Sequence, residues 1–232
     1  MSIAKFPAWI KENYLEYVNL IEPVKQKLGT LDYADEQFVI VRLDPEMVFL
    51  GLNDPKARSS AMTMIGHPHF LSVNGKIDKD FATQYHYQYE DKYFNYAYLK
   101  KEPLKLELPV DYQLRRLTLK DLTYVYEHYP LIQDQEYLSE TIKRGMIGIK
   151  YQQQLCGFIG RHDEGSLGLL FIDHTQRRKG LGYYLEASLI NDLLKKGIIP
   201  YCQVEEKNLA SKSLQTKLGL ACSKNKVTYF GA

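Results

Sequence analysis

A short basic loop with two glycines, residues 173–182, has the composition of a ligand-binding segment. It lies between an apolar run, Ser166–Ile172, and an amphipathic pattern that begins at Tyr183. Two glycines one residue apart let the backbone turn tightly and present its N–H groups outward. Those groups lie at the predicted start of a helix, where the dipole adds about half a positive charge. The loop therefore predicts a diphosphate site, reinforced by three adjacent cations: Arg177, Arg178 and Lys179.

Two common phosphate-binding motifs do not fit this loop. The dinucleotide fingerprint G-x-G-x-x-G fails because Leu185 stands where the third glycine is required, and because several strands precede the loop. The P-loop fails because Thr175 replaces its first glycine and no Lys-Ser or Lys-Thr pair follows Gly180. The remaining alternative to a ligand site is a solvated turn rich in charge.

The loop and a second motif resemble those of a known superfamily. The segment R-R-K-G-L-G resembles the R/Q-x-x-G-x-G/A signature of the GNAT N-acyltransferases, between the fourth strand and third helix of that fold. Residues 204–220 resemble the closing motif of the superfamily, in which an asparagine, here Asn208, precedes a helix ending in glycine and an apolar residue. The resemblance covers about Tyr112–Ala232. Two-domain relatives in the glycine N-acyltransferase-like branch also carry an N-terminal extension.

This resemblance implies that acetyl-CoA is a co-substrate whose acetyl group is transferred to a primary amine of a small molecule or peptide. It implies that the N–H groups of residues 178–182 hold the pyrophosphate and that the pantetheine arm pairs with backbone around Leu170–Ile172. Asn208 would approach that arm, or it is simply a helix cap. The coenzyme-binding residues we expect, with no metal, are Leu170, Phe171, Ile172, Arg177, Arg178, Lys179, Gly180, Leu181, Gly182 and Asn208.

The sequence departs from the superfamily pattern where catalysis is concerned. Ser166 stands where a glutamate is usual, and Gln215 stands where a tyrosine often protonates the departing thiolate. A base must still accept a proton, because amines are mostly protonated at neutral pH. The candidate bases are Glu164, Glu205 and Glu206, and each has the alternative of a solvated surface carboxylate. These departures also favour a second function, a non-catalytic acyl-CoA sensor or interaction module.

The elements around the loop predict a mixed α/β sheet. We expect the α/β GNAT acyl-CoA N-acyltransferase fold over residues 110–232, preceded by a smaller α+β domain over residues 1–109. Residues 100–109 are interpreted as a connector, although their alternating leucines also suit an edge strand. The predicted elements of the second domain are strand Tyr112–Leu117, helices Leu119–Tyr129 and Asp134–Arg144, strands Met146–Tyr151, Leu155–His162 and Ser166–Ile172, helix Tyr183–Lys196, strand Ile198–Val204, helix Leu209–Leu218, and a closing hairpin of Leu220–Cys222 and Val227–Phe230.

The first domain opens with a helical pattern from Pro7 to about Leu28, in which Pro23 is expected to kink or end the helix. Strand-like runs follow at Phe38–Val41 and Met47–Leu50. Residues 85–98 alternate tyrosines with polar residues around Glu90-Asp91-Lys92, which predicts a tyrosine-rich hairpin. Its rings suit a half-solvated sheet face or a substrate wall. They could also stack on nucleic-acid bases, but no basic stripe accompanies the rings, so nucleic acid is not the partner we expect.

The composition is that of a globular protein. The chain has 232 residues, of which 45% are hydrophobic and 25% charged, so it is long enough to bury a core and is neither disordered nor fibrous. A formal net charge of +2 is too balanced for a non-specific binder of nucleic acid or anionic membranes. The three cysteines form no C-x-x-C pair, and no run is apolar enough to span a bilayer. Its first residues lack the order of a signal peptide, so we expect a cytoplasmic protein.

Overall fold

The chain divides into two compact units in a computed structural model, which describes residues 3–232. The first unit comprises the residues up to Ala97 together with Tyr201–Lys212 and Ala221–Ala232. The second comprises Tyr98–Pro200 and Ser213–Leu220. This division differs from the predicted boundary near Pro109, because two strands from the C-terminal part of the chain pair with strands of the N-terminal part. The predicted mixed α/β fold is confirmed.

Strands and helices alternate irregularly along the described residues. The strands are β1 (Thr30–Ala34), β2 (Phe38–Asp44), β3 (Met47–Leu52), β4 (Phe70–Asn74), β5 (Tyr89–Ala97), β6 (Tyr112–Arg116), β7 (Ile147–Tyr151), β8 (Gln154–Arg161), β9 (Leu167–Ile172), β10 (Tyr201–Glu205) and β11 (Ala221–Gly231). The α-helices are α1 (Ala8–Glu12), α2 (Val18–Lys25), α3 (Arg58–Ile65), α4 (Phe81–Gln84), α5 (Leu122–His128), α6 (Gln135–Gly145), α7 (Leu181–Lys195) and α8 (Leu209–Leu218).

The first unit contains a seven-stranded sheet in the order β1-β2-β3-β4-β11-β5-β10. Only the β3–β4 pair is parallel, and the other neighbours are antiparallel. Helix α2 packs on one face, where Leu20 and Ile21 join a core with Val39, Val41 and Phe49. The chain's last strand, β11, therefore holds β4 and β5 together in the middle of this sheet.

The single helix predicted from Pro7 to Leu28 is two helices, α1 and α2. The break falls after α1, where the Asn13 side chain donates a 2.9 Å hydrogen bond to the Trp9 carbonyl and satisfies an acceptor that the helix end leaves free. Pro23 lies inside α2, which ends two residues later at Lys25. The proline therefore marks the end of the helical region, as expected, but it does not mark the break.

The prediction of a tyrosine-rich hairpin is wrong. Residues 89–97 form one nine-residue strand, β5, that runs straight through Glu90-Asp91-Lys92. Those three residues include neither glycine nor proline, and β11 and β10 pair with the strand on its two edges. The tail is likewise one strand, β11, with a register shift between Cys222 and Lys226 instead of a hairpin turn.

The second unit contains a four-stranded antiparallel sheet in the order β6-β7-β8-β9. Its β7–β8 turn falls at Gln152 and Gln153 as predicted, and both residues have positive φ values, 46° and 71°. Asp134 caps α6 by accepting hydrogen bonds from the N–H groups of Glu136 and Tyr137. The segment 100–109 forms no strand, and Asn191 of α7 holds it by bonding both the N–H and the carbonyl of Leu104.

Strand β9 and helix α7 are the elements that flank the basic loop. Leu169 of β9 is buried against Phe158 and Ile142 in the core of the second unit. Helix α7 begins at Leu181, two residues before the predicted start. None of the helices in residues 3–232 combines the length and apolar character that crossing a bilayer requires.

Candidate functional site

Hydrogen bonds among its first residues fix the conformation of the loop between β9 and α7. The Asp173 carboxylate accepts hydrogen bonds from the N–H and the hydroxyl of Thr175, at 2.9 and 2.8 Å, and so starts a short 3₁₀ turn over His174–Gln176. These two bonds lower the pKa of Asp173. Arg177 then donates from Nε to the Ile172 carbonyl at 3.0 Å. The side chain of Arg177 therefore ties the loop back to the end of β9.

The next residues expose backbone donors. Arg178 and Gly180 have left-handed conformations, with φ values of 65° and 78°, and Gly180 is the N-cap of α7. Within residues 3–232, the N–H groups of Arg178, Gly180, Leu181 and Gly182 donate no hydrogen bond to the chain. Alternating left-handed residues turn successive N–H groups toward one concavity, which suits an anion. A non-glycine residue held in this conformation costs of order 1 kcal/mol, as is common at ligand sites.

The structure places different constraints on the two glycines of the loop, Gly180 and Gly182. Gly180 needs its positive φ, and a Cβ there would meet only Tyr184 at 4.0 Å. Gly182 is helical, and a Cβ there would lie in ordinary contact with Leu214 and Leu170, at 3.6 and 3.7 Å. Neither backbone conformation nor crowding demands a glycine at position 182. The bare backbone of the first helical turn therefore leaves room for the atoms of a ligand, and the loop fits a diphosphate.

The basic side chains of the loop are exposed and differ in their contacts. Lys179 donates from Nζ to Gln176 Oε1 at 2.8 Å, and its ammonium lies 5.7 Å from the Tyr151 ring. The Tyr112 hydroxyl donates to the same Gln176 oxygen at 2.8 Å. The Arg178 guanidinium has no partner among the described residues. Arg178 is thus the loop cation with most freedom to meet a phosphate.

Strand β9 is distorted where it approaches α7. Its pairing with β8 joins Phe171 to Phe158 and Gly168 to Gly160, so Ile159 lies opposite two residues, Leu169 and Leu170. Leu169 has a φ of 51° although it is buried in the middle of a strand. Such a bulge interrupts the ladder of hydrogen bonds and is common beside active sites. Sequence analysis missed it because leucine gives no sign of a left-handed residue.

The structure brings the predicted coenzyme residues of the second unit together. The side chain of Leu170, next to the bulge, lies where a Cβ on Gly182 would touch it. Phe171 and Ile172 complete β9 and are half-buried, whereas Leu181 is buried at the start of α7. The end of β9 and the first turn of α7 are therefore neighbours on the two sides of the loop.

The predicted bases have different surroundings. Glu164 precedes β9 and accepts a hydrogen bond from the hydroxyl of buried Ser166. Glu205 and Glu206 lie at the end of β10 in the first unit, and Glu206 pairs with Lys226. That ion pair lowers the pKa of Glu206, which makes it a weaker base. Among the described residues, Glu205 has no ion pair with a basic side chain.

Asn208 acts as a helix cap. Its Oδ1 accepts a 3.0 Å hydrogen bond from the N–H of Ser211 in the first turn of α8. Asn208 belongs to the first unit, whereas the basic loop belongs to the second. The capping alternative is thus observed, and the approach of Asn208 to the pantetheine arm stays a prediction.

A buried polar pair, Glu186 and Gln215, was not predicted. The Gln215 amide donates to the Glu186 carboxylate at 3.2 Å, and both side chains are at least 96% buried. Burial raises the pKa of Glu186 to about 7, while the hydrogen bond from Gln215 opposes this rise. Gln215 Oε1 has no partner among the described residues. Glu186 is flanked by the apolar residues Leu185 and Ala187, and nothing in that local pattern marks it as buried.

Comparison with known proteins supports the interpretation of the fold. Residues 146–229 match the family model described as FR47-like protein. A GCN5-related N-acetyltransferase from Kribbella flavida superposes with a TM-score of 0.62 at 12% identity, over 94% of this chain and 95% of that one. The fold is that of the GNAT acetyltransferases. A putative GNAT-family acetyltransferase from Novosphingobium aromaticivorans gives a TM-score of 0.58 at 11% identity, over 93% and 95% of the two chains.

The structural similarity extends beyond the segment that the family model matches. A Drosophila protein solved by a structural genomics consortium has a TM-score of 0.66 at 16% identity, over 84% of this chain and 74% of that one. The match at residues 146–229 includes β9, the basic loop and α7. No curated protein matches the sequence. Membership of the glycine N-acyltransferase-like branch stays a prediction.

Proposed function

We propose that the protein is an N-acetyltransferase that moves the acetyl group of acetyl-CoA to a primary amine. The observation that carries the proposal is the start of α7, where unpaired N–H groups, a left-handed Arg178 and a glycine without a packing role at position 182 together suit a pyrophosphate. The GNAT fold supports the same ligand.

The proposed reaction joins the amine nitrogen to the acetyl carbon and breaks the carbon–sulfur bond. The amine must first be neutral, so a base accepts one proton, and the departing CoA thiolate takes one up. Glu164, held by Ser166, and the unpaired Glu205 are our candidates for the base. Backbone freed from pairing at the bulge of Leu169 and Leu170 is our candidate donor to the developing oxyanion.

Binding of acetyl-CoA tests the first half of this proposal. We expect the coenzyme to raise the melting temperature of the native chain. Gly182→Asp should abolish this shift, because the side chain fills the ligand space and repels phosphate. Gly197→Asp is the matched control: Gly197 follows the other end of the same helix, has a φ of 69° and has open space around it. Equal shifts in both variants would contradict the site.

A non-catalytic acyl-CoA sensor is the second candidate, because Gln215 is a poor proton donor and is already bonded to Glu186. A thiol-release screen with acetyl-CoA separates the two functions. Polyamines, amino acids, aminoglycosides and peptide N-termini are the acceptors to test. Release of CoA thiol with any acceptor supports the enzyme, whereas thermal stabilisation without release supports the sensor. We also propose a cytoplasmic location, which the three free cysteines support.

A further inference from the structure

A row of aromatic rings crosses one face of the sheet in the first unit, from its core to its surface. The rings of Phe70 and Tyr229 are 5.0 Å apart, and those of Tyr229 and Tyr93 are 4.5 Å apart. The hydroxyls of Tyr93 and Tyr89 are joined at 2.9 Å. Phe70, Tyr229 and Tyr93 are half-buried, and Tyr89 is 45% exposed. We call these four rings the aromatic row.

Two carboxylates lie beside the aromatic row. Asp91 accepts a 2.6 Å hydrogen bond from the Tyr89 hydroxyl. Glu205 is the direct cross-strand partner of Tyr93, which places the two side chains on the same face. Burial raises the pKa of Tyr93, the hydrogen bond with Tyr89 lowers it, and the charges of Asp91 and Glu205 raise it. Both carboxylates thus lie close to the aromatic row.

The described residues supply no cation to this patch. Neither Asp91 nor Glu205 forms an ion pair there, and the nearest lysine in sequence, Lys92, pairs instead with Glu90. Because side chains alternate along β5, Glu90 and Lys92 point to the opposite face. The patch therefore combines partly exposed tyrosine rings with two carboxylates that form no ion pair among the described residues.

The patch has a boundary within the sheet. Two residues beyond Tyr93, Asn95 donates to the Glu16 carbonyl and the Asn19 side chain, at 2.9 and 3.0 Å. The chain around Glu16 and Asn19 thus covers the face from Asn95 onward, and Asn95 is buried. What stays open is the end of the strands, where the aromatic row and the carboxylates lie.

We infer that this patch binds an organic ammonium ion. Aromatic faces attract cations, most strongly where carboxylates share the site, and alkylamines are cationic at neutral pH. This inference goes beyond the proposed function, because it rests only on the contacts of the patch.

Calorimetric titration of the full chain with 1,5-diaminopentane tests this inference without coenzyme. Low ionic strength is needed, because salt screens exposed charges. We expect saturable binding that the uncharged analogue 1,5-pentanediol does not show. Asp91→Asn and Tyr93→Leu should each weaken it about tenfold, whereas Glu90→Gln, on the same strand but the opposite face, should leave it unchanged. Absence of saturable binding, or equal affinity in all the variants, would overturn the inference.

Two measurements distinguish a failure of this inference from a failure of the proposed function. Stabilisation by acetyl-CoA should persist in Asp91→Asn, because the basic loop belongs to the other unit. If acetyl-CoA binds but 1,5-diaminopentane does not, the patch is not an ammonium site and the proposed function stands. If 1,5-diaminopentane binds and acetyl-CoA does not, the proposed function fails.

Discussion

Replacing Glu186 by glutamine should change how the stability of this protein depends on pH. The carboxyl is almost fully buried on α7, and the Gln215 amide is its one hydrogen-bond donor among residues 3–232. Burial raises its pKa from 4.5 to about 7. Below pH 4.5 the group is protonated in both the folded and the unfolded chain, so it costs nothing. Above pH 7 folding requires a buried negative charge.

The size of the effect follows from the pKa difference. A shift from 4.5 to about 7, at 1.36 kcal/mol per unit, amounts to about 3 kcal/mol. Because the folded pKa is the higher one, the free energy of unfolding should fall as pH rises from about 4.5 to about 7 and then level off. Glu186→Gln keeps the shape of the side chain and removes the charge. It should therefore be more stable than the natural chain at pH 8 by up to about 3 kcal/mol, and at pH 5 by less than about 1 kcal/mol.

Urea unfolding of both chains at pH 5, 6, 7 and 8 measures this difference. Glu140→Gln is the control, because Glu140 lies on α6 with its side chain 52% exposed. The free energy of unfolding of that variant should match that of the natural chain at every pH, because an exposed carboxylate stays hydrated on folding. A stability gain in Glu186→Gln that is the same at pH 5 and pH 8 would refute the assignment of a buried, titrating carboxyl.

Three further outcomes can be measured on single variants. Asn208→Ala should lower the free energy of unfolding by about 1 kcal/mol, because the N–H of Ser211 loses its acceptor; an unchanged urea midpoint would contradict the cap. Gly180→Ala should cost about 1 kcal/mol because of its positive φ, whereas Gly182→Ala should leave stability nearly unchanged; calorimetric melting distinguishes them, and similar losses would contradict this reasoning. Arg178→Ala should keep the melting temperature but reduce the shift that acetyl-CoA produces; a full shift would exclude a role for the guanidinium.

Local sequence signals predicted most of the second unit. The Gln152-Gln153 turn, the Asp134 cap and the glycines around α7 are short-range features, and each fixes an element end within a few residues. The basic loop was found for the same reason, since its donors, glycines and cations are contiguous. The groups that would bind a ligand in such a loop lie within a few residues of one another, so a short stretch of sequence reveals them.

The misses have a common physical cause, which is pairing between distant parts of the chain. Strand β5 continues through Glu90-Asp91-Lys92 because β11 and β10, more than a hundred residues later, supply its neighbours. The bulge at Leu169 arises from the register of β8 against β9, and the burial of Glu186 arises from packing against α8. The pattern of apolar and polar residues within one segment does not show which distant segment will pair with it or pack against it.

The place of β11 in its sheet has a consequence for how the protein is made. It lies between β4 and β5, so two strand edges have no neighbour until residues 221–231 have left the ribosome. During synthesis β4 and β5 have no strand between them while more than a hundred further residues are added. Loss of residues 221–231 would therefore remove the strand between β4 and β5 and favour aggregation through the two exposed edges.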